Sequence, residues 1–127
     1  MVVIDASALV DALLINGAAR SRVAAESLQA PELIDAELLS VLRRLVLAAK
    51  LQDRDALQAL TTAQLLGLRR HPSRALWVRA WELRSNLSAY DALYVALAEQ
   101  LEVPLLTADA RLARAPGLRC CVELIEP

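Results

Sequence analysis

Apolar residues along this chain recur at two spacings, and the alternation between them predicts the elements. Val2 to Asp5 is a short β-branched run and reads as a first strand. Ser7 opens the helical stretch ALVDALLI, which stops near Asn16-Gly17. ARSRVAAESL reads as a second amphipathic helix, and QAPELI as extended, because Pro31 disfavours helix before it. In DAELLSVLRRLVLAAK the apolar positions Leu38, Val41, Leu42, Leu45 and Val46 follow a helical period, with Asp35 as N-cap. DRDALQALTTAQLLGL is a further helix capped by Asp53. RRHPS is a short connection or edge strand, and RALWVRAWELRSN is helical, with Trp77 and Trp81 one turn apart. Leu87 to Leu112 reads as a helix and then the strand VPLLT. A helical turn at Arg111 to Arg114 and the strand LRCCVELI follow. Strands alternate with helices, so the expected class is α/β with a mostly parallel sheet. Right-handed crossovers would place helices on both faces.

Composition narrows this picture. The chain has 127 residues, 57% of them hydrophobic, enough for one compact domain over 1–127 and too apolar for disorder. Leu, Ala and Val dominate and Phe is absent, which favours helix. No repeat, low-complexity tract or linker interrupts it. The opening MVVIDAS has no basic n-region, and no run approaches the roughly 20 apolar residues of a membrane span. Cys120 and Cys121 are adjacent, which disfavours a relaxed disulfide, and no Cys/His metal spacing occurs. They read as buried thiols of a reducing compartment, and a cytoplasmic location is expected. The formal net charge is -1, so whole-molecule charge does not argue for nucleic acid. Lys50 is the only lysine. A coding bias towards Arg explains that, while a local Arg rim would suit phosphate.

The acidic residues are placed more tellingly. In a parallel sheet, strand carboxyl ends and the amino ends of the following helices share one edge, where ligand crevices lie. Asp5 and Asp109 end two predicted strands, and Glu37 and Asp91 sit in the first turns of two predicted helices. Taken singly, each reads as a cap or a dipole partner, and Ser88 with Asp91 resembles a capping box. Taken together, four carboxylates in one apolar cleft would repel and raise each other's pKa. A hard cation relieves that repulsion, and an all-oxygen donor set points to Mg²⁺ or Mn²⁺. Such a centre suits phosphodiester hydrolysis. His71, the only histidine, reads as a surface loop residue. No Gly-rich phosphate loop and no Ser-His-Asp arrangement is present.

VVIDASALVDALL, PELIDAELLSVLRRL and SAYDALYVALAEQLEVPLLTADARLA together resemble the PIN-domain family, and within it the VapC toxins of bacterial toxin–antitoxin pairs. The resemblance covers nearly the whole chain. It implies a three-layer α/β/α sandwich around a mostly parallel sheet and an Mg²⁺- or Mn²⁺-dependent ribonuclease. Asp5, Glu37, Asp91 and Asp109 match the first to fourth acids. Asp5 and Asp91 would be the main metal ligands, Asp109 a further one, and Glu37 would position a water or a second metal. Ser7 matches the hydroxyl after the first acid and Thr107 the one before the fourth. The resemblance also implies a homodimer, an RNA substrate and inhibition by a VapB-type antitoxin that wraps the toxin.

Other residues have plainer readings beside these. Asp11 reads as helix surface. Arg43, Arg44, Arg111 and Arg114 form either a solvated face or a path for the RNA backbone. Trp77 and Trp81 read as core or dimer-interface anchors rather than stacking platforms. One competing function is a binding module that holds RNA or antitoxin without cutting. Another is a phosphotransfer domain. A receiver needs a lysine near its acids, whereas Lys50 lies at the far end of its helix. A haloacid-dehalogenase-like phosphatase wants Asp where Ser7 stands.

Overall fold

The computed structural model describes residues 1–126. Five strands form one sheet: β1 (Val2–Ile4), β2 (Leu28–Pro31), β3 (Arg69–His71), β4 (Leu105–Thr107) and β5 (Val122–Leu124). Their order is β3-β2-β1-β4-β5, and every pairing is parallel. Val3 is in register with both Gln29 and Leu105, which makes β1 the central strand. All three β1 residues are buried, as expected where helices cover both faces of a parallel sheet. The edge strand β3 instead reads Arg-Arg-His, and its charges protect the open edge.

Among the described residues, seven helices and one 3-10 turn connect the strands. The helices are α1 (Ala6–Leu14), α2 (Ala18–Ala25), α3 (Ile34–Leu47), α4 (Asp53–Leu65), α5 (Trp77–Glu82), α6 (Ala89–Leu101) and α7 (Ala110–Ala113). From β1 to β2 to β3 the chain moves one way across the sheet, then returns past β1 to β4. Right-handed crossovers therefore put α1–α4 on one face and α5–α6 on the other, a three-layer sandwich. On the first face α1 packs against α2, α3 and α4; on the second α6 packs on β1, β2 and β4 under α5. Covered on both sides, α6 buries Ala92, Tyr94, Val95, Ala96, Leu97 and Ala98. It ends where Glu102 turns left-handed at φ 57°, and the Val103 N–H then reaches the Ala98 carbonyl at 3.1 Å. No helix among the described residues is long and apolar enough to cross a membrane.

Several local expectations change. Asp5, not Ser7, caps α1. Leu33 is the N-cap of α3 and Gln52 that of α4, so Asp35 and Asp53 lie within first turns. Asp35 is held there by Arg70, whose Nε and Nη2 each lie 2.8 Å from a carboxylate oxygen. His71 belongs to β3 rather than a loop and is half-buried, with Nε2 2.7 Å from Gln29 Oε1. Cys121 is exposed and Cys120 only half-buried, because β5 begins after them. Trp77 and Trp81 are not core: they are 61% and 68% exposed, since α5 turns its outer face away from α6. Leu97 has no exposure at all in the middle of α6. Leu97→Ala is expected to cost about 2–5 kcal/mol of stability, read as a lowered urea midpoint at constant slope.

Candidate active site

The site is built where the strand order reverses, between the carboxyl ends of β1 and β4. Asp5 ends β1, and its N–H donates to the Leu106 carbonyl at 3.1 Å. Its side chain caps α1: Oδ1 accepts from the Ala8 N–H at 2.9 Å and from Ser7 Oγ at 2.6 Å. Oδ2 accepts from Thr107 Oγ1 at the end of β4. Each hydroxyl is fixed from behind. Ser7 Oγ accepts from the Ala108 N–H at 2.9 Å, and Thr107 Oγ1 from the Asp109 N–H at 3.0 Å. Thus Ser7 and Thr107 tie the first carboxylate to the strand that carries the fourth. Asp5 is only 5% exposed. Burial pushes its carboxyl above the usual carboxylate range, against the pull of these three hydrogen bonds, and the Asp91 charge adds to the rise. Oδ2 retains one lone pair without a protein donor among the described residues.

Asp91 occupies the first turn of α6, where its N–H donates to Ser88 Oγ at 3.1 Å. That is half of a capping box. Burial first, and then the Asp109 charge, raise the Asp91 carboxyl, while Arg111 pulls it down. Glu37 lies one turn into α3 and is also raised, by burial and then by Asp91, against a hydrogen bond from Tyr94. The Tyr94 hydroxyl donates to Glu37 Oε1 at 2.6 Å. Burial, then that carboxylate, hold the phenol far above its ordinary pKa, so it stays a donor. Asp109 caps α7 by accepting the Arg111 N–H at 2.8 Å, and the Arg111 Nε stands 3.7 Å from the same carboxylate. Asp91 is therefore electrostatically coupled to each of the other three acids.

All four acids line one cleft of about 750 Å³, together with Ser7, Tyr94, Asp11, Arg44 and Lys50. Thr107 sits beneath it, fully buried against Asp5. Arg43 and Arg114 do not line the cleft, and Arg111 lies just outside it, against Asp109. Lys50, expected at the far end of its helix, lies just beyond that end and still borders the cleft. The chain turns left-handed at Ala49, φ 58°, and the Lys50 N–H folds back to the Leu45 carbonyl at 2.9 Å. That turn brings Lys50 onto the cleft wall. Asp11, expected on the helix surface, borders the cleft as well, and burial raises its carboxyl. Tyr94 carried one legible signal, its i+3 spacing from Asp91 on a shared helix face. Lys50 carried none.

The lining contains carboxylates and no thiol or imidazole, a donor set for a hard cation. Among the described residues, no three His, Cys, Asp or Glu side chains stand close enough together to hold a metal ion as a group. Mg²⁺ does not require such a group, because it binds through one or two carboxylates and keeps several waters. The residues fit such an ion.

The family model described as PIN domain matches residues 2–118. The chain is 47% identical over 125 residues to ribonuclease VapC9 of Mycobacterium tuberculosis, covering 98% of each. It is 46% identical over 128 residues to ribonuclease VapC1 of the same species, covering 97% of this chain and 96% of that one. Among solved structures it superposes on VapBC2 of Rickettsia felis, bound to a promoter DNA fragment, with TM-score 0.71 and 14% identity over 98% of each chain. It also superposes on VapC20 of Mycobacterium tuberculosis, a Sarcin-Ricin loop cleaving toxin, with TM-score 0.68 and 17% identity over 89% of this chain and 93% of that one. At those identities the structures establish the fold, and the full-length relatives establish the rest: the chain belongs to the PIN domain family, in its VapC group.

Proposed function

We propose that the chain is the toxin of a type II toxin–antitoxin pair, acting as an Mg²⁺- or Mn²⁺-dependent endoribonuclease. The observation that carries this is the convergence of Asp5, Glu37, Asp91 and Asp109 from four separate segments on one cleft, with Asp91 coupled to the rest. The relatives' names, all ribonucleases at 46–47% identity over nearly the full chain, support the reaction class. When bound, the cation supplies a Lewis acid that activates water and offsets charge on the phosphate. Asp5 and Asp91 would hold it, with Asp109 as a further ligand. Glu37 would position a water or a second metal. Ser7 and Thr107 keep the Asp5 carboxylate aimed into the cleft. Arg111 at the rim and Arg44 and Lys50 on the wall attract the RNA backbone. The test is cleavage of a cellular RNA pool with Mg²⁺, with Mn²⁺ and with chelator. Discrete fragments that vanish with chelator and in Asp5→Asn are expected. RNA binding with no turnover in any metal would replace this reading by that of a binding module.

The electrostatics make a second expectation. Asp5, Glu37 and Asp91 bind protons more readily in the folded chain than in the unfolded one. Metal-free stability therefore falls as pH rises from the ordinary carboxylate range through the raised values, and the full penalty is present above them. A cation that relieves the repulsion raises the melting temperature most at pH values above the raised range, where the acids are ionised. The shift fades as pH falls towards the ordinary values of 3.8 and 4.5. Thermal scans of the parent and Asp91→Asn check this. A blunted shift in the variant is expected, and equal shifts at all pH values would count against it.

A cognate antitoxin is the partner this reading requires. Structural neighbours include VapBC2 of Rickettsia felis and a toxin–antitoxin complex from Klebsiella pneumoniae. Self-association is part of the same proposal. Trp77, Val78 and Trp81 form an exposed apolar face beside Leu87 and Leu93, with the Arg84 guanidinium 4.8 Å above the Trp81 ring. We assign this face to a second copy, because large apolar patches rimmed by charge mark interaction sites. Sedimentation of Trp81→Glu is expected to show a monomer where the parent is a dimer. A dimer unaffected by the change would place the interface elsewhere.

A further inference from the structure

We infer that Tyr94 is a positioning residue of this site, its hydroxyl holding the Glu37 carboxylate beside Asp91 and thereby setting how tightly the cleft retains a divalent cation. The inference rests on the metal-dependent reading above. Tyr94 is 1% exposed, and its hydroxyl is paired with Glu37 Oε1 at 2.6 Å. A buried hydroxyl in a helix face otherwise made of Ala, Val and Leu is costly unless paired, and this one has a single partner. Asp5 and Glu37 are held very differently. Asp5 accepts three hydrogen bonds from Ser7, Ala8 and Thr107. The Glu37 carboxylate accepts one, from Tyr94, and has no salt-bridge partner among the described residues.

That single restraint works against two forces. Glu37 has a long side chain with rotamer freedom to lose. The Asp91 charge also repels it, so a rotamer pointing out to water relieves the strain. Tyr94 resists both because its ring is packed in the core and cannot follow. It lies one turn after Asp91 on α6, so one rigid helix face presents the third acid and the tether of the second. Oε1 is taken by the phenol, and Oε2 has no protein donor among the described residues. One oxygen is thus anchored and the other left for the cation or its water.

The test is a double-mutant cycle on Tyr94→Phe and Glu37→Ala. Mn²⁺ binding is followed by the paramagnetic resonance of the free aqueous ion, and RNA cleavage is measured in parallel. Tyr94→Phe is expected to weaken Mn²⁺ binding and lower kcat, each about tenfold, with KM unchanged. In the Glu37→Ala background the same change is expected to alter neither, because Tyr94 acts through Glu37. An equal loss in both backgrounds, or no loss in either, overturns the inference. A parent that binds no Mn²⁺ and cleaves no RNA would instead overturn the metal-dependent reading itself. Should Tyr94→Phe fail to fold, the Tyr94 hydroxyl proton resonance of the parent is followed during Mg²⁺ titration. A shift is expected, and a resonance that does not move overturns the inference.

Discussion

Asp5 sits between two strand ends, and its charge has to be answered from every side. Ser7, the Ala8 N–H and Thr107 supply that answer, and each does a second task. The Ala8 bond caps α1. The Ser7 and Thr107 hydroxyls lock the loop after β4 through the Ala108 and Asp109 N–H groups. One buried carboxylate therefore fixes the junction of β1, β4, α1 and the loop leading to α7. An amide at position 5 would keep one oxygen for Ser7 and the Ala8 N–H but leave the Thr107 hydroxyl to find another acceptor, at a cost of about 1–3 kcal/mol. Among the described residues, none of the buried side-chain polar atoms is left without a partner.

The remaining acids are less well compensated, and that asymmetry is informative. Asp91 and Glu37 are half-buried and raised by burial, and then raised again, Asp91 by the Asp109 charge and Glu37 by the Asp91 charge. A stability-optimised fold would place amides there. Keeping like charges together in a cleft stores unfavourable energy, which is the usual signature of a functional cluster rather than a structural one. The scaffold tolerates it because α6 is buried on nearly every side and the central strand is wholly internal. Rigid, apolar elements carry the charges, and the charges contribute little to holding those elements together.

Where the residue pattern misled, tertiary packing was the cause. Capping chemistry suggested Asp35 and Asp53 as N-caps, yet both helices start one or two residues earlier, and Asp35 is held by Arg70 on the edge strand. Arg70 is 35 positions distant, so no local window contains that pairing. The spacing of Trp77 and Trp81 left core and interface open, and only the structure rules out core: α5 is the outer helix of its face and leaves both rings in solvent. Cys120 and Cys121 looked buried by residue type alone, while the last strand starts beyond them.

The residue pattern alone determined the α/β class, the parallel sheet and the edge on which the four acids had to lie. The reason is local: period and turn chemistry define the elements, and in a parallel sheet chain direction assigns every strand end to one side. The quoted motifs supplied the family as well. Only the tertiary structure decided which groups surround those acids. Lys50 reaches the cleft through a left-handed turn at Ala49. Tyr94 meets Glu37 across 57 residues of sequence, and Thr107 meets Asp5 across 102. Such contacts depend on how two helices and two strands are docked, and docking is settled by side-chain packing over the whole core, which no stretch of sequence contains.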